Sequence, residues 1–169
     1  GMMMVIISAG IDLSVGSIYA ISGVLMAMAL QKMTGVSPVV QVLTGIGLAC
    51  GIGLICGVLN GVMVSRLGVH PFIITLGTMW IYRGIAFVVS HADPFTVPAS
   101  LSDFTKASLG LRKDLAPLPM IVMLAVTILG TLYLQRTTWG RRVFAVGGNI
   151  EAARYSGVKI SGVLVAVYA

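Results

Sequence analysis

Charge is what this sequence has least of. Only 9% of its 169 residues are Asp, Glu, Lys or Arg, against about 25% in an average globular domain. Hydrophobic residues make up 57% and mean hydropathy is +1.02. So few charges cannot cover the outside of a soluble domain of this length. An ordinary cytosolic enzyme, a disordered tail and a secreted disulfide scaffold are therefore excluded, and an integral membrane protein is selected. Acids are scarcest of all, five in the whole chain. Cysteines number two, Cys50 and Cys56. Six residues apart on a helix is about 240° around the axis. The pair therefore reads as small apolar residues in lipid, not as a disulfide or metal site.

Chemical motifs are missing as well. There is no Gly-x4-Gly-Lys-Ser/Thr phosphate loop, no His-Glu-x-x-His and no Gly-x-Ser-x-Gly. Gly147-Gly148 does not complete Gly-x-Gly-x-x-Gly, and His70 and His91 fall in loops. Catalytic residues and a metal site are therefore not expected, and the chain reads as a non-enzyme. Acids within spans, which a proton or sodium couple needs, are nearly absent. Asp12 alone borders one.

What is present is apolar and glycine-rich, with 21 glycines. The expected fold is all-α, a polytopic transmembrane bundle with four full spans: about Val15 to Gln31, a second within Met33 to Ser65, Pro71 to Ser90, and Pro117 to Gln135. Pro38 opens the second, which is expected to end near Asn60 to Val64. Pro38, Pro71, Pro117 and Pro119 all stand where a helix starts and a missing N–H is tolerated. The opening Gly1 to Ile7 is apolar without a basic n-region, so it reads as the tail of a helix. Val163 to Ala169 reads as the first turns of another. On this reading residues 1–169 are part of one transmembrane domain, truncated at both ends, with partial spans there.

The net charge of +6 has to be read by position. Five bases (Arg136, Arg141, Arg142, Arg154, Lys159) face one acid, Glu151, in the fourth loop. The loop from His91 to Asp114 balances Lys106, Arg112 and Lys113 against Asp93, Asp103 and Asp114. The positive-inside rule makes 136–160 cytoplasmic and 91–114 external. The links at Arg66 and Lys32 then alternate without conflict, with Asp12 on the inner side. A lipid bilayer is the partner this pattern calls for, and nucleic acid is not.

Several polar residues admit two roles. Asp12, in Gly10-Ile11-Asp12-Leu13-Ser14-Val15-Gly16-Ser17, either caps the first span with Ser14 or marks a helix break that lines a pathway. Asn60 either ties helices together or meets substrate. Arg83, twelve residues into its span, either snorkels or faces the path. Thr75 and Thr78 either bond back to helix carbonyls or join that path. Ala49, Gly53, Gly57 and Gly61 recur every fourth residue as a close-packing seam, or as a dimer or sliding face. In the basic loop, Asn149 is placed as an N-cap, Glu151 and Arg154 suit the helix dipole, and Gly157 suits a left-handed stop. This predicts a two-turn helix. So short a helix needs something to dock on, either lipid headgroups or a cytoplasmic partner.

Three stretches resemble the ribose/xylose-type permeases of bacterial ABC importers, within the branched-chain amino acid/sugar permease superfamily. They are Gly10 to Ser17, with Ala9 where a Gly is usual; Asn60-Gly61 with Pro71 to Met79 and Arg83-Gly84; and Gly140-Arg141, Gly147-Gly148-Asn149 and Glu151-Ala152-Ala153-x3-Gly157. The resemblance implies a monosaccharide permease (ribose, xylose or galactose-like) that forms the translocation path without chemistry of its own. ATP and Mg are implied to bind a partner ATPase, with no cofactor in this chain. It further implies a second permease copy or paralogue, a periplasmic or surface sugar-binding protein, and the bacterial inner membrane. Arg141, Asn149, Glu151, Ala152, Ala153 and Gly157 map to the coupling helix. Asp12, Ser14, Asn60, Phe72, Thr75 and Arg83 are the path candidates. Nucleosides, autoinducer or branched amino acids are alternative cargoes on the same scaffold. An ion-coupled carrier would need acids this chain lacks.

Overall fold

The computed structural model describes residues 2–33, 35–106 and 117–169. Arg112, Lys113 and Asp114, counted above in the external loop, lie outside the described residues. The described elements are all helical: α1 (Met2–Ile7), α2 (Val15–Gln31), α3 (Pro38–Arg66), α4 (Pro71–Ser90), α5 (Ala99–Thr105), α6 (Pro117–Arg136), α7 (Thr138–Gly148), α8 (Ile150–Tyr155) and α9 (Ile160–Tyr168).

Three helices, α3, α4 and α6, are long and apolar enough to cross a membrane, and α2 is a shorter apolar helix of 17 residues. The prolines act as read: Pro38 and Pro71 sit in the first turn behind Ser37 and His70. One boundary differs. The second span continues past Val64 to Arg66, making 29 residues, or about 44 Å of helix. It has no internal Pro to stop it, and Arg66 in its last turn suits the negative helix end. A helix longer than the hydrocarbon core is accommodated by tilt.

α3 is the central post, packing on α2 along one side and on α9 along another, while α2 also packs along α4. Two apolar clusters result. One gathers Ile21, Cys56, Tyr82 and Ala86 between α2, α3 and α4. The other gathers Val5, Val64, Leu134, Val143, Val163 and Val167 where α1, α3, α6, α7 and α9 converge. α6 keeps its apolar side chains exposed nearly all round, as a helix bathed in lipid does.

The ends of the bundle differ. At one, here called the base, residues 8–10, the start of α4 at His70 and Pro71, and the α7–α8 junction surround a cavity of about 400 Å³. At the other, Gln31 donates to the Thr96 carbonyl at 3.1 Å, and Ser100 of α5 donates to Gln41 of α3 at 2.5 Å. The expected loops did not include α5 or α7. α7 starts at a Thr137 cap, whose side chain accepts from Gly140 N, and it buries Gly140, Val143 and Val146. That 3-residue spacing was available in the sequence, though the flanking arginines obscured it.

Candidate functional site

The chain between α1 and α2 is the most polar buried segment. α1 ends in a left-handed turn, with Ala9 at φ 60 and Gly10 N donating back to the Val5 carbonyl at 2.9 Å. A Cβ at positive φ is strained by about 1–2 kcal/mol, a strain that a glycine at this position would not carry. Ala9→Gly is expected to raise the stability of the purified chain by about 1 kcal/mol, read as a higher melting temperature in detergent.

Asp12 and Ser14 follow, both buried. Asp12 Oδ1 accepts from Ser14 N at 2.8 Å and from Ser14 Oγ at 2.6 Å. Ser14 is the N-cap of α2 without a side-chain cap bond of its own, because its hydroxyl proton goes to Asp12. The same hydroxyl accepts from Asn60 Nδ2 at 2.7 Å. Asn60 Oδ1 in turn accepts from the Tyr82 hydroxyl at 3.2 Å, a hydroxyl that also lies 3.2 Å from the Cys56 carbonyl. Thr75 Oγ1 donates to the Ile11 carbonyl at 3.1 Å, with its own-turn Phe72 carbonyl at 3.4 Å. The Tyr168 hydroxyl of α9 approaches the same Ile11 carbonyl at 3.5 Å. One short segment is therefore bonded to α3, α4 and α9 together. Asn60, Ser14 and Thr75 are each 0% exposed, so each polar atom must find its partner inside the protein.

Four of the six path candidates, Asp12, Ser14, Asn60 and Thr75, thus meet in one cluster. Phe72 and Arg83 do not join it. They are exposed on α4, and among the described residues Arg83 has no carboxylate partner. Tyr82 and Tyr168 were missed. Tyr82 shares a face with Thr75 and Thr78, at i, i+3 and i+7, and that was its available signal. Tyr168 had none, since its partner is 157 residues away.

The second assembly is α7–α8. Asn149, extended at φ -158 and ψ 107, ends α7 and caps α8, its Oδ1 accepting from Ala152 N at 2.9 Å. Gly157 closes α8 at φ 79. Glu151 and Arg154 pair at 3.3 Å with side chains 58% and 62% exposed. Ala153 is buried against the bundle while Arg141, Ala152 and Tyr155 face outward. The α7 end touches the end of α1, just before the Asp12 segment. Gly147 is so close to the Ile7 carbonyl that any Cβ there would overlap it.

Among the described residues no three His, Cys, Asp or Glu gather as metal ligands. The two assemblies together are a capped short helix packed, through the end of α1, against a segment bonded to three helices.

A family model described as the permease component of branched-chain amino acid transport systems matches residues 1–169. The chain is 38% identical to the ribose import permease of Bacillus subtilis over 99% of its own length and 50% of that protein's. It is 38% identical to the D-allose transport permease of Escherichia coli, over 99% of this chain and 49% of that one. It is 35% identical to the fructose import permease of Rhizobium meliloti, over 98% and 46%. The chain thus spans about half the length of the curated relatives it matches. No solved structure matches it. With every residue covered by that family model, on a bundle of apolar membrane-length helices, the chain belongs to the family of branched-chain amino acid transport system permease components.

Proposed function

We propose that this chain serves in the membrane-spanning permease subunit of an ATP-driven importer for a monosaccharide, and that α8 is the element through which a separate ATPase acts on it. The observation that carries the reading is the build of α8. It is two turns long, capped at both ends, anchored inward by Ala153, and presents Glu151, Arg154 and Tyr155 outward. So short a helix is not stable alone; held rigidly and exposed, it suits a groove on a partner. Five bases in segment 136–160 against one acid support a cytoplasmic position for it and an external loop 91–114. The ribose, allose and fructose permeases among its relatives support a sugar as cargo. ATP and Mg then belong to the ATPase. A second permease subunit and an external sugar-binding protein complete the importer.

The route of force follows from the contacts. A push on α8 passes through Asn149 to α7, whose Gly147 bears on the Ile7 carbonyl. The Asp12 segment behind it is bonded to α3 at Asn60 and to α4 at Thr75. Displacing one base segment therefore tilts several spans at once, the kind of bistable rearrangement that alternating access needs.

The test uses the permease containing this chain, reconstituted with its ATPase and binding protein. Glu151→Lys reverses the exposed charge, and Gly157→Val strains a φ of 79 by about 1–2 kcal/mol. Each is expected to lower both uptake and substrate-stimulated ATP hydrolysis by roughly tenfold, the equivalent of about 1.4 kcal/mol of lost coupling. If both activities stay at the wild-type level, α8 is not the coupling element.

A further inference from the structure

We infer that the cleft between α7 and the start of α9 is a binding site for the headgroup of an anionic phospholipid. The cleft has a volume of about 340 Å³ and is lined by Trp139, Arg142, Gly157, Lys159, Gly162 and Val163. Two of those six residues are cations and none is an acid. The four described acids are committed elsewhere: Asp12 to Ser14, Glu151 to Arg154, and Asp93 and Asp103 at the opposite end. Among the described residues no carboxylate pairs with Arg142 or Lys159.

The position of the cleft selects a lipid over a soluble anion. It lies where α6 ends at Arg136 and α9 enters at Ile160, so the cleft is at the boundary between hydrocarbon and water. Trp139 stands at that level, as aromatic residues do at membrane interfaces. The Arg142 guanidinium lies 5.4 Å from its ring centroid, which holds the cation over the cleft. The Trp139 ring, 39% exposed, gives the cleft an apolar face for a glycerol backbone, for which a free phosphate has no use. Gly157 and Gly162 meet no heavy atom within 4 Å of a built Cβ, so the walls are open there. A phosphodiester between Arg142 and Lys159, with its glycerol on Trp139, fits the exposed lining of the cleft. Basic pockets beside membrane helices recognise lipid headgroups by this chemistry.

The site depends on the chain lying in a membrane and on nothing about cargo or ATPase, so its test reads no transport. The purified chain is equilibrated with equal parts phosphatidylglycerol and phosphatidylcholine, and the retained lipid is counted by native mass spectrometry. Phosphatidylglycerol is expected to be retained in preference. In Arg142→Gln with Lys159→Gln that preference is expected to fall roughly thirtyfold, as two cations at an anionic surface imply. Arg142→Lys with Lys159→Arg keeps both charges and most of the preference. Arg66→Gln with Arg154→Gln, neutralising bases outside the cleft, is expected to lower the preference less than the cleft pair does. Unchanged helical circular dichroism in each variant separates lipid loss from unfolding. The inference is overturned if the double Gln variant retains phosphatidylglycerol like the wild type, or if the Arg66/Arg154 pair loses it equally. It is also overturned if millimolar inorganic phosphate displaces the lipid.

Discussion

Asn60→Leu is expected to destabilise the base of the bundle by about 1–3 kcal/mol and to abolish transport. The side chain is fully buried and holds two partners, Ser14 at 2.7 Å and Tyr82 at 3.2 Å. Leucine fills similar space but removes both bonds, leaving the Ser14 hydroxyl with Asp12 and the Tyr82 hydroxyl with the Cys56 carbonyl alone. A buried hydrogen bond contributes about 0.5–1.5 kcal/mol net, and two are lost. The Ser14 hydroxyl keeps its bond to Asp12, so the turn survives locally while its tie to α3 is lost. Asn60→Asp is a sharper version. The new carboxylate would need the one Ser14 proton that Asp12 already accepts at 2.6 Å, and two acids would then face one donor. Thermal melting in detergent reads the first effect, and sugar uptake by the reconstituted importer reads the second.

The pair Gly57→Ala and Gly61→Ala is expected to cost about 2–6 kcal/mol, because each insertion into a tight contact costs about 1–3. A Cβ on Gly61 would stand 2.7 Å from the Val165 Cα. One on Gly57 would overlap the Tyr168 carbonyl. Both obstacles are backbone, so no rotamer change relieves them and α9 must move off α3. Gly53→Ala is the control on the same stripe. Its Cβ meets nothing within 4 Å, and alanine improves helix propensity by about 1 kcal/mol. The expected signs are therefore opposite along one helix face. Melting of the purified variants separates them, and equal effects at Gly53 and Gly61 would contradict the packing described.

That contrast shows where sequence reading stops. The stripe from Ala49 to Gly61 was legible as small residues every fourth position, since periodicity is local. Which of them touch a neighbour was not, because the neighbour is α9, about a hundred residues on in the chain. Span starts at Pro38 and Pro71, and the caps of α8 at Asn149 and Gly157, were legible for the same reason: a missing N–H, a short polar cap and a left-handed glycine act within one turn. The roles of Asp12 and Asn60 were ambiguous because each needed its partner named, and Ser14 and Tyr82 are brought to them only by packing. α7 was overlooked because its arginines mark a cytoplasmic loop as strongly as Val143 and Val146 mark a helix face. Ala9 was visible only as a departure from a family pattern, and its φ of 60 was not.

The most direct test is uptake of labelled ribose by proteoliposomes holding the importer that contains this chain, its ATPase and its binding protein. ATP is supplied on the side that faces α8, and ionophores collapse every ion gradient. On the proposed reading, the permease, which has no acid within α2, α3, α4 or α6, is expected to accumulate sugar only with ATP and at an undiminished rate with ionophores present. Uptake that proceeds without ATP and stops when a proton or sodium gradient is dissipated would contradict the account.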